Sequence, residues 1–110
     1  MSEVTELNLH LQELERLINR KKAVEALQSN NYFQDIIIEG FCHHEMERCL
    51  GLAVCEKVPP ETRELCNQMA KASATLKNYL DLIVQSGIWA EEEINEVKDR
   101  IEDLAVKGEE

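Results

Sequence analysis

The chain has 110 residues, the length of one domain, and 44% of them are hydrophobic, which is enough for one modest core. It carries 22 acidic residues against 12 Lys and Arg, a formal charge of −10. This balance argues against direct binding to nucleic acid or to an anionic membrane surface, because both depend on clustered Lys and Arg side chains.

Neither a membrane span nor a signal peptide is indicated. No run approaches the roughly 18 apolar residues of a membrane span. The first residues, MSEVTELNLHLQELERL, carry acids where a signal peptide carries lysines. We therefore expect a cytoplasmic protein whose cysteines stay reduced. No strand-like alternation is long enough for a sheet, so we predict a single all-α domain over residues 1–110.

The first predicted helix covers about residues 3–28. Its apolar residues recur with 3-4-3-4 spacing, the heptad pattern of helices that pack side by side in coiled coils. Because this segment is nearly neutral in charge, we predict that its seam forms the contact between two copies of the chain. The seam consists of Val4, Leu7, Leu11, Leu14 and Ile18.

The second predicted helix covers about residues 32–57. Ser29 and Asn30 precede it, and both residue types cap helix N-termini well. The sequence Val58-Pro59-Pro60 must end it, because proline lacks an amide hydrogen and disfavours helical geometry in the residue before it. This short connection predicts that the second and third helices lie antiparallel, as a central helical hairpin.

The stretch GFCHHEMERC, residues 40–49, collects two histidines, two cysteines and two glutamates. Cys42, Met46 and Cys49 fall on one helix face, and free cysteine is among the most buried residue types. We favour this interpretation as a core, and we expect no metal, no cofactor and no catalytic residue.

Other chemistry is an alternative for the cysteines and histidines. A Cys–His nucleophile or a redox switch would need an exposed, activated cysteine. A disulfide could join Cys55 and Cys66 across the proline turn in an oxidising setting. A zinc site is disfavoured because no Cys-x2-Cys pair exists and adjacent histidines diverge by about 100° on a helix. Its ligands would come from Cys42, His43, His44, Cys49, Cys55 and Cys66.

The third predicted helix covers about residues 60–86, and Gly87 is predicted to cap its C-terminus. Pro60 suits the first position of a helix. The apolar residues of this helix step by 4, 3, 4, 3 and 4, which predicts a regular buried seam. The seam consists of Leu65, Met69, Ala72, Leu76, Tyr79 and Ile83.

The fourth predicted helix covers about residues 89–106, with a seam at Ala90, Ile94, Val97, Ile101 and Leu104. Residues 88–110 hold nine acids and three Lys/Arg. The acids lie off the seam, which suits a solvent-exposed helix face. Alternatively, they mimic a phosphate backbone and bind a basic groove on another protein. The only tryptophan is a core anchor or an interface anchor. The candidate partner-binding residues are therefore Trp89, Glu91, Glu92, Glu96, Asp99, Glu102 and Asp103.

A loose pattern of residues covers about positions 28–95. It consists of Asn31, Phe33, Ile37, Ile38, Glu39, Gly40, Phe41, Glu45, Arg48, Pro60, Glu61, Leu76, Tyr79, Leu80 and Val84. This pattern resembles small, mostly uncharacterised helical proteins of tailed bacteriophages. The resemblance implies a viral accessory protein in the host cytoplasm or the virion, acting in virion assembly or on a host protein. It does not include the four cysteines and implies no catalytic or binding residue.

Together these features predict an all-α fold of four helical segments, with a central antiparallel hairpin, coiled-coil-like terminal helices and an oligomeric state. The leading functional hypothesis is a non-enzymatic protein–protein interaction module that binds itself, as a dimer, and another protein through apolar helix faces. One alternative is an acidic nucleic-acid mimic that inhibits a host DNA- or RNA-binding protein. A second alternative is a thiol-dependent redox or metal-binding protein.

Overall fold

The computed structural model describes residues 2–108, and within that range all regular structure is helical, without strands. Helix α1 covers Glu3–Gln28. Helix α2, residues 31–53, is α-helical at Asn31–Phe33 and Met46–Ala53 and π-helical at Gln34–Glu45. Helix α3 covers Pro60–Val106. The predicted all-α class is confirmed, but the described residues form three helical segments rather than the four predicted.

The boundary between α1 and α2 follows the predicted capping signal. The side chain of Asn30 accepts a hydrogen bond from the amide of Phe33, at 3.0 Å, and so caps the start of α2. Gln34 Nε2 donates to the carbonyl oxygen of Gln28, at 2.7 Å, and satisfies one of the open carbonyls at the end of α1.

Helix α2 differs from the prediction in winding and in length. Twelve of its residues are π-helical, a geometry that usually appears as a single turn. Gly40 lies on this wide turn, where a Cβ would be 2.9 Å from the carbonyl oxygen of Asp35. The helix ends at Ala53, earlier than predicted, because hydrogen-bonded turns at Cys55 and Val58 precede the two prolines.

The predicted break at Gly87 is wrong. A single helix of 47 residues, α3, replaces the two helices predicted for residues 60–86 and 89–106. Gly87 is buried inside α3, where a Cβ would be 2.3 Å from the Cβ of Lys21. The missing side chain of Gly87 therefore allows α1 to approach closely, and the glycine does not end the helix. No proline follows it to stop the helix.

The chain divides into two compact units, and α3 contributes to both. The first unit joins residues up to 25 with residues from 82 onward. In it α1 lies antiparallel to α3, because Glu3 contacts Arg100 while Lys21 contacts Glu91. Its buried residues include Leu14, Val24, Ala90, Val97 and Leu104. Partly buried side chains pack against the cluster of Leu14, Ala90 and Val97, namely Leu7, Leu11, Leu17, Ile18, Ile94 and Ile101.

The second unit consists of residues 26–81 and contains the central antiparallel hairpin of α2 and α3. The Ser73 hydroxyl on α3 donates to the carbonyl oxygen of Phe41 on α2, at 2.8 Å. Nearer the connecting turn, Cys49 of α2 packs with Cys66 and Ala70 of α3. The predicted hairpin is therefore confirmed, and small side chains hold its two helices close together.

Candidate binding surface

The apolar seam predicted on α1 lies within the first unit. Leu14 has no exposed surface and packs with Ala90 and Val97 of the same chain. Val4, Leu7, Leu11 and Ile18 are partly buried. Contact between two chains through this seam remains a prediction, but Leu14 offers no surface for it in this arrangement.

Of the seven acidic residues that the structure describes in the C-terminal segment, six are exposed and Glu93 is partly buried. Glu91 forms an ion pair with Lys21, with 2.9 Å between Oε1 and Nζ. Trp89 is 47% exposed, and its neighbour Ala90 occupies the core instead. The other candidate partner-binding residues, all exposed, are Glu92, Glu96, Asp99, Glu102 and Asp103.

Lys21 joins the two helices of the first unit electrostatically. Only 14% of its side chain is exposed, and its amine also lies 3.5 Å from Glu25. The hydrogen bond to Glu91 is the main reason that the pKa of Lys21 is raised above its ordinary value. The amine is therefore a firmly charged cation that holds α1 against α3.

The cysteines of GFCHHEMERC are core residues, as predicted. Cys42 is 6% exposed and Cys49 is 1% exposed, and all four cysteines of the chain are free thiols. Cys66 is also buried, whereas Cys55 is only partly buried. Burial rather than a disulfide characterises these residues in the structure.

The surroundings of Cys49 oppose formation of a thiolate. Its Sγ donates to Glu45 Oε1 at 3.7 Å, and Arg48 Nε donates to Glu45 Oε2 at 3.0 Å. Burial, and then the negative charge of Glu45, raise the pKa of the Cys49 thiol. The pKa of Glu45 is lowered, mainly by its hydrogen bond from Arg48. A nucleophilic cysteine needs the opposite shift in its pKa.

His43 and His44 lie closer together than their predicted divergence suggested. Their ring centroids are 4.9 Å apart in an edge-on arrangement, and His43 Nε2 lies 3.7 Å from Glu47 Oε1. One potential ligand atom from each of the three side chains lies within 4.8 Å of the others. All three side chains are exposed, so water competes with them as a ligand for any ion. The absence of a metal remains a prediction.

The regular seam predicted on α3 is not the buried face of its hairpin half. The residues buried against α2 are Cys66, Ala70 and Ser73, which lie one position further along the chain. Their spacing of four and three residues was visible in the sequence. The prediction chose the adjacent face because the apolar side chains there, such as Leu65 and Met69, are larger. The buried row is the one with small side chains, because these allow α2 to approach α3 closely.

The displaced seam forms an exposed apolar surface, which we name the α3 stripe. Leu65 is 61% exposed, Met69 43% and Tyr79 51%, while Leu76 is partly buried. A contiguous exposed apolar surface is a candidate interaction site. Within the hairpin unit the α3 stripe consists of Leu65, Met69, Ala72, Leu76 and Tyr79.

The four side chains that directly flank the middle of the α3 stripe carry no charge, and the charged Glu61, Glu64, Lys71 and Lys77 lie beyond them. Gln68 and Thr75 lie along its outer edge and are exposed. Cys66 and Ser73 lie along the edge that faces α2. Charged flanks set partner choice in paired helices. In any helix pairing along this face, neutral flanks would leave partner choice to the shape of the apolar side chains.

Among residues 2–108 no helix is both long enough and apolar enough to cross a membrane. Comparison with known proteins gives no match to any protein-family model, curated protein or solved structure.

Proposed function

We propose that this chain is a non-enzymatic protein–protein interaction module that binds a partner helix along the α3 stripe. The observation that carries the proposal is the exposure of a heptad-spaced apolar seam on α3 beside a hairpin that is already closed by smaller residues. A helix partner suits such a seam, because side chains spaced by three and four residues interlock with those of a second helix.

Leaving the α3 stripe exposed to water costs free energy. Burying a large apolar side chain contributes about 1.5–3 kcal/mol relative to leaving it exposed. Leu65, Met69 and Tyr79 each keep two-fifths or more of their surface exposed in the single chain. A partner that covers them gains this energy, whereas the hairpin itself cannot cover them, because α2 occupies the neighbouring face.

The resemblance to small helical proteins of tailed bacteriophages supplies a setting for this activity. In that setting the chain is a viral accessory protein that acts in virion assembly or on a host protein, in the host cytoplasm or the virion. The apolar stripe fits either task, since both require binding to a protein surface.

The acidic C-terminal segment supports a second candidate, mimicry of a nucleic-acid backbone. Its exposed acids include Glu96, Asp99 and Asp103 on one helix. Steering by such charges weakens as salt rises, whereas apolar docking does not. Lys98 and Arg100 interrupt the acidic run, and Arg100 Nη2 lies 2.8 Å from Glu3.

A pull-down from bacterial lysate, with the tagged chain as bait, tests both candidates. A protein captured through the α3 stripe should be retained in about 1 M salt, where charges are screened beyond roughly 3 Å. A Met69→Glu/Tyr79→Glu bait should lose it. Capture that is abolished by salt and by Glu96→Lys/Asp103→Lys, but unaffected by the stripe variant, would favour the mimic.

A further inference from the structure

We propose that the partner helix on the α3 stripe is α3 of a second copy of this chain, packed antiparallel about a two-fold axis. The inference rests on the proposed function, because it names the occupant of the same surface. It also moves the predicted dimer contact away from the α1 seam, in which Leu14 is already fully buried within the chain.

Charge favours a second copy at this position. The chain has a formal charge of −10, so two copies repel each other wherever acidic surfaces meet. The α3 stripe and its flanking residues, Gln68, Thr75, Cys66 and Ser73, are uncharged. Two copies that pair here bring no like charges into the seam, whereas pairing through the acidic C-terminal segment would do so.

The order of side chains along the stripe is complementary to itself when reversed. A two-fold axis that crosses α3 at position 74 places Ala72 opposite Leu76 of the second copy. The same axis places Met69 opposite Tyr79 of the second copy. The first of these layers pairs a small with a large side chain and the second pairs a flexible thioether with an aromatic ring, and such pairs fill space well. Leu65 falls opposite position 83 of the second copy and lies outside these two layers.

A parallel pair packs less well. Equivalent positions would face each other, so Ala72 would meet Ala72 of the second copy and leave a gap. In the layer that follows Leu76, Tyr79 would face Tyr79 of the second copy, and Tyr79 is the bulkiest residue of the stripe. Small side chains next to large ones cannot both be accommodated at one helix separation. Antiparallel pairing removes this mismatch, and the isologous contact closes on itself as a dimer.

The oligomeric state of the purified full chain tests the inference. Light scattering coupled to size exclusion, at micromolar concentration, should give twice the 12.7 kDa of one chain. Met69→Glu/Tyr79→Glu should give the mass of one chain, because it places four like charges in the antiparallel seam. Circular dichroism should show that this variant keeps its helices, since both positions are exposed in the single chain.

A matched control comes from α1. Leu9 is 51% exposed and Leu27 is 47% exposed, close to the exposure of Tyr79 and Met69, and both lie outside the stripe. Leu9→Glu/Leu27→Glu introduces the same charge and should keep the two-chain mass. Loss of the dimer in this control, with retention in the stripe variant, would overturn the inference.

Opposite charges test the antiparallel register. In Met69→Lys/Tyr79→Glu, the new lysine of each copy faces the new glutamate of the other copy only if the helices are antiparallel. We therefore expect this double variant to dimerise, while Met69→Lys and Tyr79→Glu alone do not. A monomeric double variant beside a dimeric wild type would contradict the antiparallel arrangement.

The inference and the proposed function can fail separately. A one-chain mass for the wild type, together with stripe-dependent capture of another protein from lysate, would overturn the second copy as occupant and leave the interaction module standing. A one-chain mass together with capture that ignores the stripe variant would overturn both.

Discussion

Lys21 lies directly against Gly87, so that a Cβ added at position 87 would be 2.3 Å from the Cβ of Lys21 and 2.9 Å from its Cγ. The amine of Lys21 then reaches Glu91, one helical turn beyond the glycine. These two contacts fix where α1 meets α3. A residue that reads as a helix end in the sequence is therefore a contact point between two helices.

Gly87→Ala should destabilise the protein although alanine favours helices by about 1 kcal/mol over glycine. The new Cβ meets the base of the Lys21 side chain, which cannot move without α1, and such overpacking costs about 1–3 kcal/mol. Urea unfolding followed by circular dichroism measures the change.

Gly51→Ala is the matched control for this helix glycine. A Cβ at position 51 meets nothing within 4 Å, so only the gain in helix propensity remains. We expect Gly51→Ala to stabilise the protein by about 0.5–1 kcal/mol. Equal changes in unfolding free energy for the two substitutions would show that α1 does not contact Gly87.

Leu14→Ala should cost about 2–5 kcal/mol of unfolding free energy, because Leu14 is fully buried between Ala90 and Val97. Leu9→Ala, on the exposed side of the same helix, should change stability by less than about 0.5 kcal/mol. A small effect of Leu14→Ala in thermal or urea unfolding would mean that α1 does not pack on α3 in solution.

Native-state alkylation should distinguish the four thiols. Cys55 is the most exposed of them and should react with iodoacetamide first. Cys42, Cys49 and Cys66 are buried and should react only as the protein opens. Peptide mass spectrometry after timed quenching gives the order, and rapid labelling of Cys49 would revive the thiol-enzyme alternative.

Stability should fall at alkaline pH, in part because of Cys49. Its pKa is raised in the folded protein, so its proton is held more tightly there than in the unfolded chain. The stabilising effect is complete below the unfolded pKa, about 8.5, and is lost as the pH rises through the folded value. Unfolding of Cys49→Ala, compared with wild type across this range, should show a weaker decline.

Protein purified without a tag should contain no stoichiometric zinc, and a chelator should not change its fold. The candidate ligands are all exposed, so nothing shields an ion bound to them from water. They are His43, His44 and Glu47. Metal analysis and circular dichroism with and without chelator check this expectation. One zinc per chain that disappears in His44→Ala would contradict it.

The sequence by itself determined the elements wherever a local signal acts alone. The end of α1 at Gln28, the cap at Asn30 and the start of α3 at Pro60 follow from side-chain acceptors and from the missing amide of proline. Burial of Cys42 and Cys49 followed from their shared helix face.

Only the tertiary structure decided the role of Gly87 and the buried face of α3. Glycine permits both a helix end and a close contact, and the presence of Lys21 of α1 selects the contact. On α3, the row of Leu65 and Met69 and the row of Cys66 and Ala70 have the same helical period, one residue apart. Periodicity predicts a helix, but it cannot say which of two neighbouring rows receives a partner. The close approach of α2 decides that question, because only the row of small side chains leaves room for it.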